Sequence, residues 1–482
     1  MLTAKTISDL KKIVGEQNVL TDSVDLSLYE LDAESLDVAL PDVVVLPGSE
    51  SEVVAVMELV GSKGLKLPVT PRGAGTGLSG GATCVRGGVS LSMTRMNKVL
   101  HIDEVECTAL VQVGATNVSL SQKSAKYNLY FAPDPSSQIA STIGGNIAEN
   151  AGGPHTLKYG MTTHHVLAVN VVLADGSLIT LGGAGRTSAT TDLVGIMVGS
   201  EGTLGIVTQA LVRLTPVAQK VETLLAYFSS LGAGGQAVSD IVAHGVVPAA
   251  MEMIDSLTLN AVEDYLSMGL RRDAGALLII ELDGPLAGID AARKIVEECL
   301  SNNGVIESHW AASAEQRAKI WKARKTSFGA LGRIAPHGYV LDGVIPRSRL
   351  SEAISGIAQI GQKYDLPIAN VYHAGDGNLH PCMLYHRDNK KEVERVLLAA
   401  RDILHLCVDL GGTLSGEHGI GVEKLMEMDS VYSEQDLRYM AALKSVFDPL
   451  GILNPGKLIP RLKGCGESGQ RPLLRHSLMA GC

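Results

Sequence analysis

The chain has 482 residues, enough for two or three domains rather than one. Its formal charge is −10, its pI about 5.7, and it carries no basic run, which argues against nucleic acid as its partner. Aromatic residues make up only 4 %, too few for a base-stacking platform, and no apolar run reaches the roughly 18 residues of a membrane span.

Met1-Leu-Thr-Ala-Lys-Thr6 leads into a polar helix without the apolar core of a signal peptide, so a cytoplasmic protein is expected. The cysteines (Cys84, Cys107, Cys299, Cys382, Cys407, Cys465 and Cys482) are scattered without any C-x-x-C. That fits reduced thiols and excludes a local iron–sulfur signature.

Thr6-x-x-Asp9 reads as a capping box opening a helix with Ile7, Leu10, Ile13 and Val14 apolar. Pro41-Asp-Val-Val-Val-Leu-Pro47 reads as a buried strand. Ser49 with Glu52 then caps a helix carrying Val53, Val56, Met57 and Val60, closed near Gly64. Leu67-Pro-Val-Thr70 is the next strand, and it delivers the chain into Pro71-Arg-Gly-Ala-Gly-Thr-Gly-Leu-Ser-Gly-Gly81.

This glycine-dense loop has a counterpart in Ile143-Gly-Gly-Asn-Ile-Ala-Glu-Asn-Ala-Gly-Gly153. Glycine lacks a Cβ, so two such loops can bring backbone N–H groups close around phosphate oxygens. A diphosphate-bearing cofactor is the natural occupant. A nicotinamide-type dinucleotide turn is disfavoured, because a helix and a distant acidic residue should follow the glycines. Gly87-Gly-Val-Ser-Leu-Ser-Met93 follows instead, alternating like a strand. The plain alternative, glycines serving tight turns only, fits two dense loops poorly.

Up to Pro216 the expected strands are short, with 110–113 as one and 165–181 as a hairpin turning at Asp175-Gly176. Between them lies Ala132-Pro-Asp-Pro-Ser-Ser137, and after them Gly199-Ser-Glu-Gly-Thr-Leu-Gly-Ile-Val-Thr208, a third glycine cluster entering a strand. The first half reads as an α+β unit, residues 1–217, whose unusual residues all lie in loops. From about residue 218 strands such as 223–228 and 276–282 alternate with helices such as 289–301 and 314–331. This is a second domain, 218–460, with helices against one sheet. The tail 461–482 is expected to be loosely structured.

The second domain holds His373-Ala-Gly-Asp-Gly-Asn-Leu-His380 and Gly416-Glu-His-Gly-Ile-Gly421. Histidine nitrogens and a carboxylate in glycine-rich loops make good divalent-metal ligands, although any lone histidine, such as His101, His244 or His405, is better read as ordinary. With Glu417 on the metal, His418 can face a substrate and take a hydroxyl proton. The alternative makes His418 the ligand and Glu417 its outer-shell partner. Arg324, in Trp321-Lys-Ala-Arg-Lys325, could clamp a carboxylate through its planar fork. On the residues alone, a solvated basic helix face with Lys319, Lys322 and Lys325 is the simpler reading.

Arg72-Gly-Ala-Gly-Thr-Gly-Leu-Ser-Gly80, Pro133-Asp-Pro-Ser-Ser137, Gly144-Gly-Asn-Ile-Ala-Glu-Asn150 and Gly199-Ser-Glu-Gly202 resemble the FAD-binding half of the vanillyl-alcohol-oxidase superfamily. The stretches 373–381 and 416–421 resemble the C-terminal half of its FAD-linked D-2-hydroxyacid dehydrogenases, with the glycolate-oxidising members nearest. The likeness runs from about residue 20 to 460. It implies an FAD-binding domain of PCMH type, itself two α+β subdomains, followed by a C-terminal α/β cap domain with an antiparallel sheet covered by helices.

The resemblance implies non-covalent FAD, since Thr76 stands where some relatives attach flavin through histidine. The FAD pyrophosphate is expected over Arg72, Gly73, Ala74, Gly75, Thr76, Gly77, Ser79 and Gly80. Pro133, Asp134, Ser137, Gly144, Gly145, Asn146, Asn150 and Gly153 are expected to extend that site, completed by Glu201, Gly202, Gly205, Ile206 and Asn454. It further implies His373, His380 and Glu417 as ligands of a divalent metal, zinc favoured over manganese or iron, with His418 as base and Arg324 on the substrate carboxylate.

The implied reaction is oxidation of a small 2-hydroxy acid to the 2-keto acid, with hydride passing from Cα to flavin N5. Phe328 and Cys382 stand where relatives acting on 2-hydroxyglutarate carry polar groups, which favours glycolate or D-lactate. Electrons then need a separate acceptor: an iron–sulfur subunit within a glycolate-oxidising hetero-oligomer, an electron-transfer flavoprotein, or quinone. Membrane-peripheral association is compatible with that. The rival readings are a D-lactate dehydrogenase working alone with quinone or electron-transfer flavoprotein, a flavin-binding scaffold subunit without chemistry, and a nicotinamide enzyme.

Overall fold

The computed structural model describes residues 2–62, 65–185 and 191–460. The helix end expected near Gly64 and the tail 461–482, with Cys465 and Cys482, lie outside them. Contacts divide the chain into two compact units. Among the described residues, the first comprises the chain up to Gly152, Met161–Val217 and 417–460; the second comprises Gly153–Gly160 and Ala218–Gly416. The division expected at 217/218 is therefore not the whole account. The segment after Gly416 packs with the first unit because its backbone is bonded there: the N–H groups of Val422 and Glu423 donate to the Ser79 carbonyl, and Asn454 N–H to that of Val69.

The first unit contains two main sheets. In one, the strands run in the order Val19–Leu20, Val43–Val45, Val89–Ser92, Val69–Arg72, with the last three parallel. Their valines and leucines pack against the helices Ala4–Val14 and Glu50–Met57 through Leu10, Val14, Val53, Val56 and Met57. The first helix is capped by Thr3, not Thr6: Thr6 is already inside the helix, and its N–H donates to Thr3 Oγ1. Ser49 caps the second helix as expected, accepting from Glu52 N–H while the Glu52 carboxylate reaches back to Gly48 N–H at 2.7 Å.

The other sheet is five-stranded and antiparallel, ordered Val99–Asp103, Thr108–Gln112, Ile206–Arg213, Val166–Val172, Leu178–Gly182. The hairpin turns at Asp175 and Gly176 as expected, with Gly176 at φ +89°. Leu120, Ile143 and Ile147 cover this sheet. Ile143 and Ile147 belong to a helix, Ile143–Glu149, so the second glycine stretch is not the loop the sequence suggested. Thr142 caps it by accepting from Gly145 N–H, and Asn150 ends it at φ +51°.

The second unit is built on an eight-stranded sheet in which every recorded pairing is antiparallel. Its central strands are Lys220–Phe228, Ala276–Gly284, Ala250–Asp255, Ile368–His373 and Asn378–Tyr385. Helices Ser256–Leu266, Ala314–Lys325 and Ser327–Leu331 cover one face, burying Leu259, Ile320 and Leu331 against Leu225, Ile254, Ile279 and Val371. The longer helices Leu231–Ala243, Leu286–Asn302, Leu350–Tyr364 and Lys390–Asp409 belong to the other side. The helix expected over 314–331 breaks at Thr326, whose hydroxyl donates back to the Lys322 carbonyl at 2.8 Å.

Candidate active site

In the first unit the two glycine stretches meet. A Cβ on Gly73 would lie 2.4 Å from Thr142 Oγ1, so the first loop touches the cap of the helix carrying Gly144, Gly145 and Asn146. Gly75 and Gly80 take φ +70° and +74°, which L side chains rarely adopt. Around this junction Arg72 Nη1, Ser79 Oγ, Ser141 Oγ and Asn146 Nδ2 are buried without a hydrogen-bond partner among the described residues. Such orphaned donors are what an oxygen-rich ligand satisfies. The place therefore fits a diphosphate cofactor.

Other expected cofactor residues are placed by contacts within the protein or lie at its surface. Glu201, at φ +51°, accepts Ile420 N–H at 2.7 Å and Gly421 N–H at 2.8 Å, fixing the loop that follows His418. Asn454 donates to the carbonyls of Gly81 and Glu201, and Asn150 accepts Thr163 N–H. The Pro133 carbonyl accepts from Asn117 Nδ2. Asp134 is half-buried, and Ser137 turns the chain through its carbonyl, which accepts from Ala140 and Ser141 N–H. Gly202 and Gly205 are needed for close packing: a Cβ would come within 2.3 Å of Pro71 in one case and of Val171 in the other. Ile206 is core. Ala74 is exposed, and Thr76 and Gly77 are half-buried, with Gly77 accepting Ala33 N–H. Gly153 opens the short segment belonging to the second unit.

Sequence reasoning missed two charged residues beside this junction, Lys457 and Glu149. Lys457 is buried and donates to the carbonyls of Gly81 and Thr83 and to Asn454 Oδ1. Burial pushes its amine down to about 8, although Cys84 and the carboxylates of Asp32, Glu201 and Glu149 pull the other way. Glu149, half-buried as a residue but with a desolvated carboxyl, is raised well above the usual range by that desolvation and by the Glu201 and Asp32 charges.

Glu417 and His418 lie in the first unit, their side chains mostly buried and 4.0 Å apart at closest. The loop after them rests on Ser79: a Cβ on Gly421 would come within 2.0 Å of that carbonyl, which already accepts from Val422 and Glu423.

The second unit presents His373 and His380 on a hairpin rather than in a loop. His373 ends the strand Ile368–His373, and His380 lies in Asn378–Tyr385. Residues 374–377 turn between them, Gly377 at φ +82° with no room for a Cβ beneath the Ile345 carbonyl. The two rings stand edge to face with centroids 4.9 Å apart. His373 Nδ1 lies 2.7 Å from Glu252 Oε1, and His380 Nδ1 lies 3.1 Å from the Leu341 carbonyl. Both partners are acceptors, so each Nδ1 carries a proton; in the neutral ring Nε2 then holds the lone pair, the tautomer a metal ligand needs. Asp342, buried beside His380, accepts from Ser415 Oγ and Gly416 N–H and so fixes the residue preceding Glu417.

Arg324 is 2 % exposed and not part of a solvated basic face, whereas the Lys319 side chain is 62 % exposed. Its guanidinium meets Glu252 at 2.6 Å, while its Nε is buried without a partner among the described residues. Three residues earlier on the same helix, Trp321 donates to Glu281 at 2.6 Å; Thr223 also donates to Glu281, and His155 lies 3.2 Å from it. Thr223, Glu281, Glu252, His373 and His380 thus form a buried polar band on the helix-covered face, in register with its apolar residues by the two-residue strand period. Phe328 and Cys382 belong to the apolar cluster of that face, and burial pushes the Cys382 thiol up to about 12.

No helix among the described residues is long and apolar enough to cross a membrane. Residues 41–182 match the family model "FAD binding domain", and residues 217–458 match "FAD linked oxidases, C-terminal domain". The chain is 43 % identical to the Escherichia coli K12 glycolate oxidase subunit GlcD over 460 residues, covering 95 % of this chain and 92 % of that protein. It is 32 % identical to a D-lactate dehydrogenase of Anaerostipes hadrus over 478 residues, covering 96 % and 98 %. In fold it is similar to p-cresol methylhydroxylase, with a TM-score of 0.79 at 18 % identity over 96 % of this chain and 98 % of that one. The glycine junction, the histidine hairpin and these near-full-length matches place the chain in the FAD-linked oxidase family, as an FAD-dependent hydroxyacid oxidoreductase.

Proposed function

We propose that the protein oxidises a small 2-hydroxy acid, glycolate or D-lactate, to the 2-keto acid, using FAD held at the glycine junction of the first unit and a divalent metal, zinc in first place, held by His373, His380 and Glu417. The observation that carries this is the histidine pair, its rings edge to face and each held at Nδ1 by an acceptor, which leaves Nε2 as the nitrogen for a metal. Bound FAD supplies a two-electron acceptor, and the metal supplies a Lewis acid for a hydroxyl oxygen. Arg72, Ser79 and Asn146 hold the cofactor through their orphaned donors, with the glycines keeping side chains out of its way. Arg324 offers a buried cationic fork with one N–H to spare, which suits the substrate carboxylate. His418 removes the hydroxyl proton, positioned by a loop that Glu201 pins from below.

The apolar setting of Phe328 and Cys382 favours a substrate with one carboxylate. The relative named as a subunit supports a hetero-oligomer whose other members accept the electrons. The relative named D-lactate dehydrogenase supports the stand-alone alternative with quinone or electron-transfer flavoprotein. A cytoplasmic, membrane-peripheral placement agrees with either.

The test is the visible spectrum of purified protein before and after anaerobic addition of glycolate or, separately, D-lactate. Bleaching of the flavin bands by one acid and not the other assigns the substrate; varying the acceptor then separates complex from stand-alone enzyme. His418→Ala with flavin and metal still bound should turn over at least about 100-fold more slowly. Near-normal turnover would remove His418 as the base.

A further inference from the structure

Glu252 lies at the centre of the eight-stranded sheet with its side chain fully buried, and each of its carboxylate oxygens meets a different cationic or donor group. Oε1 accepts a hydrogen bond from Nδ1–H of His373, its register partner on the neighbouring strand; Oε2 meets the Arg324 guanidinium, which descends from the covering helix. The helix is set in turn by a second anchor. Trp321 and Arg324, three positions apart and so on one helical face, engage Glu281 and Glu252 on adjacent strands.

A fold needing only cohesion has little use for this arrangement, because buried ion pairs are commonly matched or surpassed in stability by apolar residues of the same volume. We propose that Glu252 is a positioning residue: it fixes His373 in the Nδ1–H tautomer and holds Arg324, thereby setting the distance between the metal ligand and the anchor for the substrate carboxylate. The inference rests on the assignments of His373 and Arg324 made above. A 2-hydroxy acid presents its hydroxyl and its carboxylate on adjacent carbons, so its two recognition groups must be held close together, and one carboxylate bonded to both does that. Glutamine cannot replace it, since its one oxygen can accept from His373 or face Arg324, and its amide N–H₂ opposes a donor on the other side.

The test uses full-length, FAD-loaded protein stripped of metal, with ¹⁵N-histidine labelling. In the wild type at neutral pH, the His373 signals (assigned by their absence in His373→Gln) should report a protonated Nδ1 and an unprotonated Nε2. A His373 protonated on Nε2 overturns the proposal without any Glu252 variant having to fold. For Glu252→Gln, Zn²⁺ titration should show affinity lowered roughly 10- to 100-fold, and KM for glycolate should rise by a similar factor with bound flavin unchanged; Glu252→Asp, which keeps the charge, should lie between. If His373→Ala loses Zn²⁺ while Glu252→Gln binds it like the wild type, the positioning role falls and the metal assignment stands. If the wild type takes up no Zn²⁺, Mn²⁺ or Fe²⁺, both fall together. Weakened metal binding with an unchanged KM overturns the Arg324 half.

Discussion

Replacing Lys457 by methionine tests how the glycine junction is held. The ammonium group donates to the Gly81 and Thr83 carbonyls and to Asn454 Oδ1 from a side chain that is 2 % exposed. Hydrogen bonds from a charged donor contribute about 1.5–3 kcal/mol each, so three amount to roughly 4.5–9 kcal/mol. Against this stands burial, which lowers the amine from 10.5 to about 8. At about 1.36 kcal/mol per pH unit that net shift amounts to roughly 3 kcal/mol at neutral pH. The difference leaves a net loss of about 1.5–6 kcal/mol for Lys457→Met, and about 3 kcal/mol is the working figure. At about 2 °C per kcal/mol for a unit of this size, flavin release on heating should occur about 6 °C earlier. The pH dependence has a definite sign. The folded-state value lies below the unfolded one, so the unfolded chain binds more protons between about 8 and 10.5, and the wild type gains stability as pH rises through that window. Methionine cannot follow, so the deficit should widen by about 1 kcal/mol, or about 2 °C, between pH 7 and pH 9. The assay is flavin fluorescence during melting of both proteins at the two pH values. A deficit that narrows at pH 9 refutes the burial argument, and a variant that melts with the wild type at pH 7 refutes the supporting role of Lys457.

Gly73→Ala should force the first loop off Thr142, since its Cβ would lie 2.4 Å from the hydroxyl; overpacking of about 1–3 kcal/mol should show as lost flavin. Trp310 and Trp321 both lie in the second unit, so tryptophan fluorescence should report its unfolding unchanged. Glu201→Gln leaves one of the Ile420 and Gly421 N–H groups facing an amide donor, a loss of about 1–3 kcal/mol. Turnover that depends on His418 should then fall further than flavin content does, and equal losses of both would contradict a loop-holding role. His380→Ala, or chelator treatment of the wild type, should abolish bleaching by glycolate while the flavin bands remain. Metal analysis of the same samples checks the cause, and full bleaching by metal-free protein would remove the metal from the reaction.

The parts of this protein that follow local rules could be read from its sequence. Ser49 with Glu52, the Asp175-Gly176 turn and the valine runs each state their structure within a few residues, and the antiparallel, helix-covered second sheet followed from the resemblance. Glycine was legible as closeness but not as a statement of what comes close. Gly144, Gly202 and Gly205 carry no side chain because Val113, Pro71 and Val171 occupy the space, a constraint written in distant segments. The same limit hid Glu252. In sequence it is one of the Asp and Glu residues of an acidic chain, in a strand apolar but for it and the terminal Asp255, 121 residues from the histidine it orients. Its neighbours offered the only signal: a glutamate amid Ala-Met-Glu-Met-Ile, in a strand too apolar to face water, must find its counter-charges indoors. The same reasoning applies to Arg324. A helix reading Lys-Ala-Arg-Lys looks solvated until one asks which of its cations stands three residues from a tryptophan on the buried face, and that cation is the one the carboxylate holds.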